Sequence, residues 1–151
     1  IAILGTGVAA ASLGGALGFE FMTQEPEGVM DRFGAVADGS LPHYLLWLAI
    51  AIFAAGLGEE LFFRGDLINR LKDGLGGGGF MTALTIILPA LYFGYGHVYY
   101  QGLRGLIVTG LIGLMLGVLF VLYKRNLWPL IIAHAVVDSL VFTALFFQLD
   151  V

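Results

Sequence analysis

Runs of apolar residues long enough, or nearly long enough, to cross a bilayer fill most of this chain, and no other feature restricts its fold as much. They cover residues 1–21, 41–57, 80–97, 103–123 and 127–147. A helix rising ~1.5 Å per residue needs about 20 residues to cross ~30 Å of hydrocarbon. Hydrophobic residues make up 59% of the chain and charged ones 12%, where a soluble domain carries about a quarter charged. The expected fold is all-α, a polytopic transmembrane helix bundle of about five spans, with all 151 residues in one domain. The chain opens on Ile1, so an N-terminal segment is expected to precede it. The first run lacks the basic start of a signal peptide and reads as a span.

The breaks between runs are polar. Residues 23–40 carry Glu25, Pro26, Glu27, Asp31, Arg32, Gly39 and Ser40 and read as a connector on the membrane surface, and the glycine run 74–79 reads as a turn. With alternating spans, Arg64, Arg70, Lys72, Lys124 and Arg125 fall on one side and Arg32 and Arg104 on the other. The excess places the first group in the cytoplasm. Gly14 with Gly18 and Gly113 with Gly117 stand at the spacing that lets helix backbones approach closely.

A net charge of -4 with scattered basic residues offers no stripe for nucleic acid, so no nucleic-acid partner is expected. The absence of cysteine excludes disulfides, thiolate metal ligands and a cysteine nucleophile.

Against this apolar background three polar clusters stand out: Glu59 and Glu60 with Arg64, Phe93 with His97, and His134 with Asp138. An ionisable side chain at the centre of a bilayer costs about 2.5–3.5 kcal/mol on insertion scales, which makes each cluster a candidate for function. Glu60 and Arg64, four apart, suit an ion pair, and Glu59 points elsewhere. Each cluster also has a plain reading. The glutamates could be a solvated helix end, His97 an interfacial residue among tyrosines, and His134 with Asp138 a buried hydrogen-bonded pair. Taken together, carboxylates and imidazoles suit the activation of water. Zinc could use two histidines and a carboxylate, namely Glu59, His97 and His134, but no His flanks the glutamates at the four-residue interval of a zincin helix. No Gly-x-Ser-x-Gly elbow is present.

In order, Glu59-Glu60-Leu-Phe-Phe-Arg64, Phe93-Gly-Tyr-Gly-His97 and His134-Ala-Val-Val-Asp138 resemble the EExxxR, FxxxH and HxxxN/D motifs of the CAAX protease and bacteriocin-processing (CPBP, or Abi) family of intramembrane endopeptidases. The resemblance implies a glutamate-type peptidase, nominally classed as a metalloendopeptidase. Glu59 would be the general base, His97 would help hold the water, and His134 with Asp138 would face the carbonyl oxygen. Glu60, Arg64 and Phe93 would support them. An ionised Asp cannot donate to an oxyanion, so Asp138 is expected to accept the His134 ring N–H or to carry a proton itself.

The resulting expectation is an integral membrane protein of a prokaryotic plasma membrane whose site opens toward the cytoplasmic side. It would cleave a peptide or a lipidated, CAAX-type protein arriving through the bilayer, with no cofactor required and a divalent metal such as zinc as the alternative. Two rivals use the same residues: a non-catalytic bacteriocin-immunity or scaffold protein, and a small proton-coupled transporter.

Overall fold

The computed structural model describes residues 1–22 and 29–149, and within them the chain is helical with no strand. Helix α1 (Ala2–Ala16) is followed by a 3₁₀ turn (Glu20–Met22), α2 (Val29–Ala37) and α3 (Leu41–Ala49). A π-helical segment (Ile50–Leu67) then leads into α4 (Ile68–Leu75), α5 (Gly79–Leu122) and α6 (Trp128–Phe146). Among the described residues three helices are long and apolar enough to cross a membrane: Leu41–Leu75, α5 and α6.

The 44-residue α5 is not one rod. Gly102, at φ 59° and ψ -154°, breaks it in a conformation that suits only glycine. The limbs on either side fold back antiparallel. A Cβ on Gly94 would fall 2.4 Å from the Leu106 carbonyl oxygen and 2.9 Å from the Gly110 Cα, and one on Gly117 would fall 2.7 Å from Ile86. Gly113 likewise faces Ala90 and Phe93. The limbs therefore meet backbone to backbone, as small residues allow in a bilayer where apolar burial gives helices little reason to associate. The hairpin matches the two runs expected at 80–97 and 103–123.

The rod Leu41–Leu75 runs antiparallel to the first limb of this hairpin, with the turn between them at Gly76 and Gly78, both at positive φ. Helix α6 packs along the rod, with Gly56 so close to Ala135 that a Cβ would lie 2.6 Å from the alanine methyl. Pro129 opens the first turn of α6, where its missing N–H costs nothing, and Asn126 Oδ1 accepts the Trp128 N–H. Leu127, just ahead of α6, packs on Gly65. Helix α6 thus begins alongside the rod's interior, and α4 with the start of α5 projects beyond it. A hydrogen bond from Arg125 to Asn69 ties the α5–α6 turn to the same level. The core below the site joins Ile3, Ile68, Leu116, Phe120, Leu130 and Val137.

Several expectations need correction. Helix α1 has 15 residues, about 22 Å at 1.5 Å per residue, and ends at Ala16 instead of continuing to residue 21. Gly18, at φ 81°, has open space around it, and Gly14 faces the Met22 side chain, so this glycine pair does not join two helices. In the expected 23–40 connector, residues 23–28 with Glu25, Pro26 and Glu27 lie outside the described residues, as do the side chains of Asp31 and Arg32. The remainder includes helix α2, whose Phe33 packs edge-on against Trp47 and Phe142. The stretch read as a plain α-helix through the glutamates is π-helical, with Ile68 N–H bonded five residues back to the Phe63 carbonyl.

Candidate active site

All three sequence clusters face one another across three elements, the π-helical segment, the first limb of α5 and α6. The adjacent glutamates have different surroundings. Glu60 is fully buried, and its Oε1 accepts from Arg64 Nη1 at 2.8 Å and from His134 Nδ1 at 2.9 Å. Glu59 leaves 33% of its side chain exposed, and its Oε2 lies 3.9 Å from His134 Nε2. π-Helical turns are rare and gather at functional sites. Here the wide turn carries one carboxylate into the packing and the next to its edge.

Arg64 is buried and committed. Beyond Glu60, its Nη2 donates to the Gly113 carbonyl at 3.3 Å, and its guanidinium sits 4.8 Å from the centre of the Phe93 ring. That distance is within cation–π range, so Phe93 supplies a π-face to a buried cation. Phe93 also packs edge-on against Phe63 and lies 4.6 Å, centre to centre, from the His97 ring.

The two imidazoles have assignable tautomers. His97 Nδ1 lies 2.8 Å from the Phe93 carbonyl. A carbonyl only accepts, so Nδ1 carries the hydrogen and the neutral ring turns an Nε2 lone pair outward. His134 Nδ1 donates to Glu60 in the same way, which leaves its Nε2 between Glu59 Oε2 and Asp138 Oδ2, the latter 3.6 Å away. Both gaps are longer than a direct hydrogen bond.

This geometry changes the expected partner of His134. Asp138, one turn away on the same helix, does not accept the ring N–H at hydrogen-bonding distance. Glu60, 74 residues away in sequence, does. Local spacing pointed to the i+4 carboxylate, but tertiary packing supplied a closer one. Sequence reasoning also missed Gly56 and Ala135, whose contact brings the π-helical segment against α6 beside the site. A small residue in each of two apolar runs is the only signal for that pair.

The fit of a metal can be judged from the same groups. Among the described residues no cluster of three or more His, Asp or Glu side chains is spaced to hold an ion, so Glu59, His97 and His134 are not arranged as a ligand set. His134 Nδ1 and Glu60 Oε1 are also spent on each other.

Residues 41–140 match the family described as Type II CAAX prenyl endopeptidase Rce1-like. The chain belongs to this family. All three polar clusters lie inside the matched region, which covers most of the chain. No curated protein and no solved structure matches it. Family membership together with the apolar helices makes this an integral membrane protein of an intramembrane protease family, and a peptide in a membrane setting the substrate class.

Proposed function

We propose that this family member is an active endopeptidase. It hydrolyses a peptide bond of a membrane-associated or lipidated, CAAX-type protein or peptide, using water activated by Glu59. One observation carries the reading: of the two adjacent glutamates, Glu60 is enclosed and bonded to Arg64 and His134, whereas Glu59 reaches an accessible edge beside an imidazole. A general base must reach the water that it deprotonates, and Glu59 meets that requirement.

The steps follow from the donor and acceptor inventory. Water is held by the Glu59 carboxylate and the His97 Nε2 lone pair. Glu59 takes its proton as the oxygen attacks the peptide carbonyl carbon. The resulting tetrahedral intermediate collapses when the same proton passes to the leaving nitrogen, the C–N bond breaks, and a carboxylic acid and an amine are released. Glu60 and Arg64 hold the His134 ring toward this centre.

Arg70, Lys72, Lys124 and Arg125 gather at the end formed by α4 and the α5–α6 turn, which favours that end as cytoplasmic. A lipidated chain terminus partitions into the bilayer and would reach such a site laterally. The test is cleavage of lipidated and unlipidated peptides in proteoliposomes by wild type, by Glu59→Gln and by wild type with a strong chelator. Loss in the variant alone supports the glutamate reading. Loss with the chelator as well restores a metal. Cleavage retained by Glu59→Gln refutes the assignment of the base.

A further inference from the structure

The site is rich in acceptors and poor in donors. Glu59 and Asp138, as carboxylates, only accept. The neutral His97 ring spends its N–H on the Phe93 carbonyl, and His134 spends its Nδ1–H on Glu60 and turns its Nε2 toward the Glu59 and Asp138 carboxylates. The Arg64 guanidinium is buried against Glu60 and the Gly113 carbonyl. Inside a helix, away from its first turn, the backbone N–H groups are paired along the helix itself. Yet a peptide carbonyl that becomes a tetrahedral oxyanion needs a donor aimed at it.

A side chain beside these groups has a hydrogen to give. Tyr100 lies one turn beyond His97 on the same limb, with its ring centre 5.3 Å from the His97 ring. It is partly buried at the edge of the cluster, and its phenol is within electrostatic reach of both Glu59 and Asp138. Among the described residues, no hydrogen bond to protein engages its hydroxyl. Its neighbour Tyr99 is more exposed, at 84% of its surface.

We infer that the Tyr100 hydroxyl is a catalytic hydrogen-bond donor of this site, directed at the carbonyl oxygen of the scissile peptide bond. It supplies the donor that an ionised Asp138 cannot. The hydroxyl keeps its proton throughout: it donates to the carbonyl oxygen in the bound substrate and more strongly to the oxyanion, while the proton that moves is the one exchanged between water, Glu59 and the leaving nitrogen. The inference rests on the peptidase reading of the site.

The experiment is steady-state cleavage in proteoliposomes by wild type, Tyr100→Phe, Tyr99→Phe and Glu59→Gln. Alongside it, binding is measured for an uncleaved substrate peptide and for the same peptide with a phosphinate at the scissile position. Tyr100→Phe is expected to lower kcat by about 10²- to 10³-fold with KM little changed, as for removal of one oxyanion donor. It should weaken phosphinate binding more than peptide binding, a split that a merely structural ring would not produce. Tyr99→Phe should leave both untouched. Equal kcat in wild type and Tyr100→Phe, with Glu59→Gln inactive, overturns the role of Tyr100 alone. No cleavage by wild type itself refutes the peptidase reading and this role with it. If Tyr100→Phe lowers kcat but binds the phosphinate as tightly as wild type does, the donor is another group and the inference is wrong.

Discussion

His134 and Glu60, 74 residues apart in the chain, are joined by a 2.9 Å hydrogen bond from the imidazole Nδ1 to a carboxylate oxygen that also accepts from Arg64. The bond makes the orientation of His134 depend on a buried ion pair in another helix. Removing Glu60 would leave the Arg64 guanidinium buried without its counter-charge. Glu60→Ala is therefore expected to destabilise the protein by about 3–5 kcal/mol, the range for breaking a buried pair from one side. Reversible unfolding in detergent micelles measures it, and a change below 1 kcal/mol (about fivefold in the folding equilibrium) would contradict the pairing.

Glu59 makes the opposite prediction. Its side chain sits at an accessible edge and anchors no buried cation. Glu59→Gln should reduce turnover by about 10²- to 10⁴-fold, the scale of general-base catalysis, and leave stability within about 0.5 kcal/mol. Turnover and unfolding measured on the same preparation separate the two neighbouring glutamates. Equal stability losses in both variants would remove the distinction on which the choice of base depends.

Position 138 offers a test by chemistry rather than by deletion. Asn keeps the shape of Asp but adds a donor, and the 3.6 Å gap to His134 Nε2 means that no hydrogen bond is lost with the charge. Asp138→Asn is expected to keep kcat within about tenfold, roughly 1.4 kcal/mol of barrier. His134→Ala, which removes the ring between Glu59 and Asp138 and takes a donor from Glu60, should cost more than about tenfold in kcat with a smaller change in KM. A larger loss in the Asn variant than in His134→Ala would mean that the Asp138 charge itself is required.

The hairpin can be probed with two glycines on one limb. Gly94 abuts the Gly110 backbone, and Gly96 has nothing within 4 Å of where a Cβ would stand. Gly94→Ala is expected to destabilise by about 1–3 kcal/mol through overpacking. Gly96→Ala should be neutral or stabilising by up to about 1 kcal/mol, from helix propensity. Thermal unfolding of both variants checks the register of the two limbs, and a similar response from both would place the crossing elsewhere.

The helices and the reactive groups were readable in the sequence for one reason: a charged or imidazole side chain in an apolar run stands out against its surroundings. The paired limbs of α5 were legible too, because residues 97–104 interrupt the apolar pattern. Features that depend on distant neighbours were hidden. Helix α2 looked like a connector because its nine residues are too few to span a bilayer and gain an apolar partner only when Phe33 meets Trp47 and Phe142. Spacing offered Asp138 as one partner for His134, since it sees only the same helix, whereas Glu60 approaches from another. The π-helical hydrogen bonding has no pattern of its own in the residues.

Arg64 donates at once to Glu60 on its own helix and to the Gly113 carbonyl on the second limb of α5, and Glu60 in turn holds α6 through His134. Three spans thus take their alignment from one guanidinium. The outward surface, where Leu91, Ile132, Val136 and Leu140 are exposed, takes no part in that wiring. Exchanging those side chains for other apolar ones leaves the interior connections intact, so the same chemical centre can be carried into bilayers of different lipid composition behind a rewritten exterior.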